Sequence, residues 1–181
     1  TYTYNLNGVR TSKGETKFIV DENKLLMEVN NLGVRIKYEY SMEKLVGFEY
    51  NNTRYFYERN IQGDVIRIYR RNDLSLVAEY AYDAYGTPYI TMQTNEHIGD
   101  INPIRYRGYY YDTESHLYYC SSRYYNPKWG RFISPDSIEY LDPNSINGLN
   151  LYAYCGNNPV NRFDPSGHFP ITAMLITGLI M

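Results

Sequence analysis

Three side chains in this sequence have the types and order that peptide hydrolysis by carboxylates requires: Arg123, Asp136 and Asp164, all upstream of the His168–Phe169 bond. Such chemistry needs one ionised Asp to activate water and one protonated Asp to donate to the carbonyl oxygen. Two carboxylates held close share a proton, because both cannot ionise side by side, and so supply both forms together. An arginine beside them positions one carboxylate and favours its charged form. Asp164 also opens Asp164-Pro165-Ser166-Gly167, an order that favours a type I turn with the Asp side chain capping the following amides. That turn would fold His168 back beside Asp164. By itself the tetrapeptide is an ordinary surface turn; Arg123 and Asp136 give it weight.

Other chemistries find little support. His97 and His116 are isolated and lack ligand spacing, and Cys120 and Cys155 form no CxxC motif, so neither a metal site nor a disulfide framework is expected. One disulfide and two buried thiols both remain open for the cysteines. No cofactor is expected. Lys and Arg total 18 against 20 Asp and Glu, and a net charge of -2 leaves no basic footprint for nucleic acid.

The elements that must position the three residues read as β. Of 181 residues 23 are tyrosine, a side chain suited to a half-buried pleated surface because its ring packs while its hydroxyl finds a polar partner. Tyr-x-Tyr recurs at Tyr2 and Tyr4, Tyr38 and Tyr40, Tyr55 and Tyr57, Tyr80 and Tyr82, and Tyr109 and Tyr111. On a strand each pair faces one side. Turn chemistry follows several pairs, at Asn7-Gly8, Gln62-Gly63 and Tyr85-Gly86, and β-like runs cover Lys17 to Val20, Val34 to Tyr40, Asp64 to Arg70 and Ser75 to Tyr82. No stretch before residue 135 keeps a helical period for ten residues. The reading is mainly β: an antiparallel strip of hairpins to about Ser134, then a loop-rich core with a short helix. One or two helical turns are expected over Leu149 to Cys155, ended by Gly156, with core tyrosines. Asp142-Pro143-Asn144 reads as a loop turn.

The strip and the motifs after it resemble the Rhs and YD-repeat proteins. Ala78-Glu79-Tyr80-Ala81-Tyr82-Asp83-Ala84-Tyr85-Gly86 is similar to one YD repeat, and Arg105-Tyr106-Arg107-Gly108-Tyr109-Tyr110-Tyr111-Asp112 to the entry of the Rhs core. The similarity runs on through Ser122-Arg123-Tyr124-Tyr125-Asn126-Pro127, Gly130-Arg131-Phe132-Ile133-Ser134-Pro135-Asp136 and Asn157 to Gly167. It implies a β strip spiralling into a hollow shell, closed by the core, with downstream polypeptide held inside. It also implies intramolecular aspartyl-type cleavage after His168, with Arg123, Asp136 and Asp164 as the cutting residues, matched by their Arg-Tyr-Tyr, Gly-Arg-aromatic and Asp-Pro-x-Gly settings. Two departures stand out: extra residues around Glu139 to Asn144, and His168 where the motif commonly has leucine.

On this resemblance residues 1–104 are YD-repeat-like hairpins, 105–168 the core with its autoproteolysis motif, and 169–181 the start of a variable effector. The first residue is Thr1 and the last five run apolar, so a piece of a longer chain is expected. The implied function is shell closure and self-processing in a secreted or cell-surface bacterial toxin of the polymorphic, contact-dependent-inhibition kind. Its partners would be upstream YD repeats, a downstream toxin domain and an immunity protein. The alternative is a non-catalytic structural module, or an adhesin stacking sugars on tyrosines; against the latter, stacking surfaces favour exposed Trp, and the chain has only Trp129. Phe169 to Met181 carries no charge yet falls short of the ~20 residues needed to span a bilayer. Membrane contact, a toxin core element and a strand against the shell interior all remain open for it.

Overall fold

The computed structural model describes residues 1–140, 148–168 and 171–172. Its first half is an antiparallel meander of ten strands, hydrogen-bonded in chain order: β1 (Tyr2–Tyr4), β2 (Arg10–Lys13), β3 (Thr16–Asp21), β4 (Lys24–Val29), β5 (Arg35–Ser41), β6 (Lys44–Tyr50), β7 (Thr53–Arg59), β8 (Val65–Arg70), β9 (Leu76–Tyr82) and β10 (Pro88–Gln93). The period-2 pattern explains the face each strand buries, except that bulges in β8 and β9 put core residues three apart. Phe18, Ile36, Tyr38, Phe48, Tyr55, Val65, Ile68, Val77 and Tyr80 form one apolar face, with the partly buried Tyr40, Tyr57 and Tyr82 packed against it. The Tyr-x-Tyr stripes of β5, β7 and β9 therefore face the core. The Tyr2 and Tyr4 stripe does not: a bulge between Thr3 and Tyr4 shifts the register, and Tyr4 is 45% exposed.

Four of the loops share one construction. Asn5, Asn30, Asn60 and Asp83 each accept, through the side-chain Oδ1, the amides two and four residues on, and each carbonyl accepts the amide of a glycine three residues on. The repeat therefore contains an Asx-x-x-Gly loop as well as paired tyrosines, and short polar side chains satisfy the backbone where the ladder stops.

A second, four-stranded sheet follows: β11 (Tyr110–Asp112), β12 (Leu117–Cys120), β13 (Arg123–Asn126) and β14 (Arg131–Phe132). Its core is almost entirely aromatic, with Tyr106, Tyr109, Tyr111, Tyr118, Tyr125, Phe132 and Tyr154 packed around Cys120 and Cys155. Both cysteines are free thiols. Burial pushes the Cys155 thiol up to about 12 and the Cys120 thiol well up.

Polar ties seat this core against the meander. The Tyr106, Tyr125 and Tyr118 hydroxyls donate to the successive carbonyls of Ala84, Tyr85 and Gly86, at 3.2, 2.6 and 2.8 Å. Gly86 is required there: a Cβ would meet the Tyr106 ring at 2.4 Å, and its φ is +92°. At the other end of the meander, Arg10 on β2 reaches Asp112 on β11 at 2.6 Å. In between, Glu28 on β4 accepts the Tyr110 hydroxyl at 2.7 Å. Strands from β2 to β9 thus face the same core, so the strip curls around it.

The helical turns expected over Leu149 to Cys155 are replaced by turns and a 3-10 segment at Cys155–Asn157. Tyr152-Ala153-Tyr154 repeats the Tyr-x-Tyr alternation. Ala153 bridges Arg131, the Phe132 amide donates to Tyr152 at 3.0 Å, and Tyr154 is extended. The Leu151 and Tyr152 carbonyls, which α-helical bonds would need, are taken by the Asp136 and Phe132 amides, while the Ala153 amide closes a turn bond to Asn150 at 3.0 Å. Tyr154 is buried as expected, whereas Tyr152 is 38% exposed. The Asp142-Pro143-Asn144 turn, part of the stretch Glu139 to Asn144, and the segment 169–181 apart from Ile171 and Thr172, lie outside the described residues. No described helix is long and apolar enough to cross a membrane.

Candidate active site

Arg123 opens β13, and its position follows from the ladder: it pairs with Cys120 on β12, burying the side chain behind Phe132, over whose ring the guanidinium carbon lies at 3.7 Å. Asp136 sits on the loop leaving β14, held by its amide donating to Leu151 at 3.0 Å. Asp164 follows β15 (Arg162–Phe163), which pairs with β16 (Ile171–Thr172). Asp164, Pro165, Ser166, Gly167 and His168 therefore lie in the loop that joins these two strands. Phe169 lies outside the described residues.

The three polar residues, distant in sequence, meet at one guanidinium. Arg123 Nη2 is 2.8 Å from Asp136 Oδ2 and 3.9 Å from Asp164 Oδ2. Arg123 Nη1 donates to the Leu151 carbonyl at 2.9 Å, and Nε to the Gly167 carbonyl. The arginine bridges both carboxylates while gripping the turn itself. All three side chains are buried, at 6% exposure or less. Burial pushes the Asp164 carboxyl up, against the pull of the Gly167 amide and of Arg123. It also pulls the Arg123 guanidinium down, against the opposite pull of Asp136 and Asp164.

The turn is closed by the Asp164 side chain. Its Oδ1 accepts the Gly167 amide at 2.9 Å and the His168 amide at 3.1 Å, while Ser166 Oγ approaches at 3.4 Å. The spacing is the Asx-x-x-Gly of the four meander loops. Here, however, the Asp164 carbonyl accepts the Tyr109 hydroxyl at 2.7 Å, and the Asp164 amide donates back to that oxygen at 3.1 Å. Tyr109 was read from sequence only as half of a stripe; its role in clamping Asp164 needed the tertiary contact. Gly167 has φ +79°, and a Cβ on it would meet the Cys120 carbonyl and Ser122 Oγ at 2.5 Å. Ser122 Oγ donates to the Ser166 carbonyl at 2.8 Å. Pro165 borders a cavity of about 250 Å³ between core and meander, lined by apolar groups such as Val20, Leu25 and Tyr40.

His168 is brought to the same place. Its Nδ1 lies 2.6 Å from Asp136 Oδ1, and its ring stacks on Tyr140 at 5.0 Å. No group of His, Cys, Asp and Glu among the described residues could hold a metal ion. The site can therefore be described by its own groups: two carboxyls of different surroundings, one bridging cation, and the peptide carbonyls of Ser166 and Gly167 tied down beside them.

A tyrosine-faced meander seated on an aromatic core thus carries the Arg–Asp–Asp cluster. The chain is 44% identical over 126 residues to the tRNA3(Ser)-specific nuclease WapA of Bacillus spizizenii, covering 70% of this chain and 5% of that protein. It is 45% identical over 65 residues to the toxin protein Tse5 of Pseudomonas aeruginosa, covering 36% of this chain and 5% of that one. The fold is shared with a chain of the Photorhabdus luminescens Tc holotoxin pore, at TM-score 0.74 and 24% identity, over 94% of this chain and 9% of that chain. No protein-family profile matches the chain. On sequence and fold together the chain belongs with the Rhs/YD-repeat proteins of the polymorphic-toxin type. It spans only about 5% of the length of the curated relatives just named.

Proposed function

We propose that this segment closes the shell of an Rhs toxin-delivery protein and cuts its own chain between His168 and Phe169. The observation that carries the reading is the single guanidinium of Arg123 in contact with Asp136 and Asp164 while it grips the turn that precedes the cut. Asp136, ion-paired through Oδ2, acts as the carboxylate that takes a proton from water. Asp164, whose buried carboxyl protonates more readily, donates to the His168 carbonyl oxygen. Hydroxide adds to the carbonyl carbon to give a gem-diol; collapse then breaks the C–N bond as Asp136 passes the proton it took from water to the Phe169 nitrogen and a diol hydroxyl returns a proton to Asp164. The products are a His168 carboxylate and a Phe169 amine, held together without a covalent bond.

Residues 1–104 are the repeat strip in this reading, 105–168 the processing core, and 169–181 the start of the released effector. Upstream YD repeats and a downstream toxin domain of the same polypeptide are its partners, with an immunity protein for the toxin, in a secreted or delivered protein. The names of the relatives, a tRNA nuclease and toxin proteins, support a toxin cargo. The adhesin alternative loses its motivating feature, because Tyr38, Tyr55 and Tyr80 are packed inside the strip.

The test is a fusion with a folded reporter after Met181, followed by intact mass. Two products with a new N-terminus at Phe169 are expected, at a rate independent of dilution. Asp136→Asn and Asp164→Asn should each abolish the cut, and Arg123→Ala should slow it by roughly 100-fold or more, as expected for loss of an electrostatic stabiliser in a buried site. A wild-type fusion that stays one chain through prolonged incubation refutes self-processing and leaves Asp164 a turn residue.

A further inference from the structure

The side chain of His168 is engaged. Its Nδ1 is 2.6 Å from Asp136 Oδ1, an oxygen that also accepts the Ser137 amide at 2.9 Å. The other oxygen, Oδ2, pairs with Arg123 at 2.8 Å. Both acceptor sites of Oδ1 are thus filled, and Oδ2 faces the guanidinium. Tyr140, from the 3-10 turn Ile138–Tyr140, stacks on the imidazole at an interplanar angle of 15° and holds the ring in this orientation.

We infer that His168 is an inhibitory positioning residue: its imidazole occupies the Asp136 oxygen that water must reach, so the chain is cut only as fast as this contact opens. The inference rests on the self-cleavage reading above and adds its regulation. Among the described residues, the charged and titratable groups facing His168 are Asp136 at its Nδ1, Tyr140 on its ring face, Asp164 at its amide, and Arg123 through Asp136 and the Gly167 carbonyl. A protonated imidazole binds Asp136 as an ion pair with a charge-assisted hydrogen bond; a neutral one offers at most an ordinary N–H. Leucine has no donor and frees the Oδ1 site that the imidazole fills, beside the retained Ser137 amide. The same pair could instead serve to orient the imidazole as a general base, as a carboxylate does in a hydrolytic triad, and that arrangement makes the opposite prediction for its removal.

The reporter fusion decides between them. Cleavage is timed by intact mass at intervals from about pH 5 to pH 8 for wild type, His168→Leu and His168→Gln. His168→Leu should cut faster than wild type by on the order of tenfold. His168→Gln, an uncharged donor, should lie between the two. A wild type that stays intact while the leucine variant cuts supports the latch equally. A leucine variant equal to wild type or slower at every pH overturns it, and total loss assigns the imidazole the role of base. Should His168→Leu fail to fold, as judged by its thermal melt, His168→Gln decides by the same criterion. Fusions that remain intact in all three forms at every pH remove the cleavage reading itself, and the latch with it.

Discussion

Removing one side of the ion pair between Arg10 and Asp112 should cost this molecule a large part of its stability, and removing both sides should cost much less. Arg10 Nη1 lies 2.6 Å from Asp112 Oδ2, with the side chains 2% and 0% exposed. The guanidinium carbon sits 4.5 to 5.9 Å from the ring centroids of Tyr2, Phe18, Tyr110, Tyr119 and Tyr124. Burial alone would lower the pKa of Arg10, but Asp112 outweighs it and the net shift is upward. Asp112→Ala strands a cation in this aromatic cage, and one-sided loss of a buried pair costs about 3–5 kcal/mol. For a chain of this size each kcal/mol is worth ~2–4 °C, so the melting midpoint should fall by roughly 6–20 °C. Arg10→Met should cost less, because the Lys13 ammonium is 3.4 Å from the other oxygen of Asp112. The double variant Arg10→Met with Asp112→Leu strands no charge, since the partly exposed Lys13 keeps its ion pair with Glu114 at 3.3 Å, and should be more stable than Asp112→Ala. Urea and thermal unfolding followed by tyrosine near-ultraviolet dichroism measure all three. Single variants within about 1 kcal/mol of wild type, or a double variant that loses the sum of the singles, would show that the pair does not couple the strip to the core.

Two further outcomes follow from buried groups at other points of the same contact. Burial pushes the Glu28 carboxyl up despite hydrogen bonds from Tyr38 and Tyr110, so the folded state holds its proton more tightly than the unfolded chain. Its contribution is therefore full below the unfolded glutamate value of about 4.3 and is lost as pH rises through the folded pKa. Glu28→Gln should gain stability relative to wild type across that window in urea titrations, and parallel pH curves would contradict this. Gly167→Ala must place a Cβ against the Cys120 carbonyl at a φ of +79°, which costs ~1–3 kcal/mol of backbone strain before any clash is relieved. Its cleavage rate and melting midpoint should both fall, and wild-type values for both would show that the turn tolerates another conformation.

Much of this was legible along the chain because it depends on short-range rules. Alternation on β5, β7 and β9 assigned the tyrosine stripes to strands, and the loops at Asn7-Gly8, Gln62-Gly63 and Tyr85-Gly86 were visible as turns, although the Asx three residues before each glycine went unread. Tyr152-Ala153-Tyr154 fits a helical turn in the sequence, but the Tyr152 carbonyl and the Ala153 bridge are committed to β14, a pairing that no local pattern reveals. The chemical types at Arg123, Asp136 and Asp164, and the capping of the turn by Asp164, belong to the sequence, since a side chain's acidity and a four-residue turn are local properties. Only the tertiary structure decided that one guanidinium touches both carboxylates, that Tyr109 clamps Asp164 through one hydroxyl, and that His168 occupies Asp136. Those contacts arise where β13, the loop after β14 and the turn after β15 converge on an aromatic core. Their meeting depends on how sheets pack, and packing is a property of surfaces far apart in the chain.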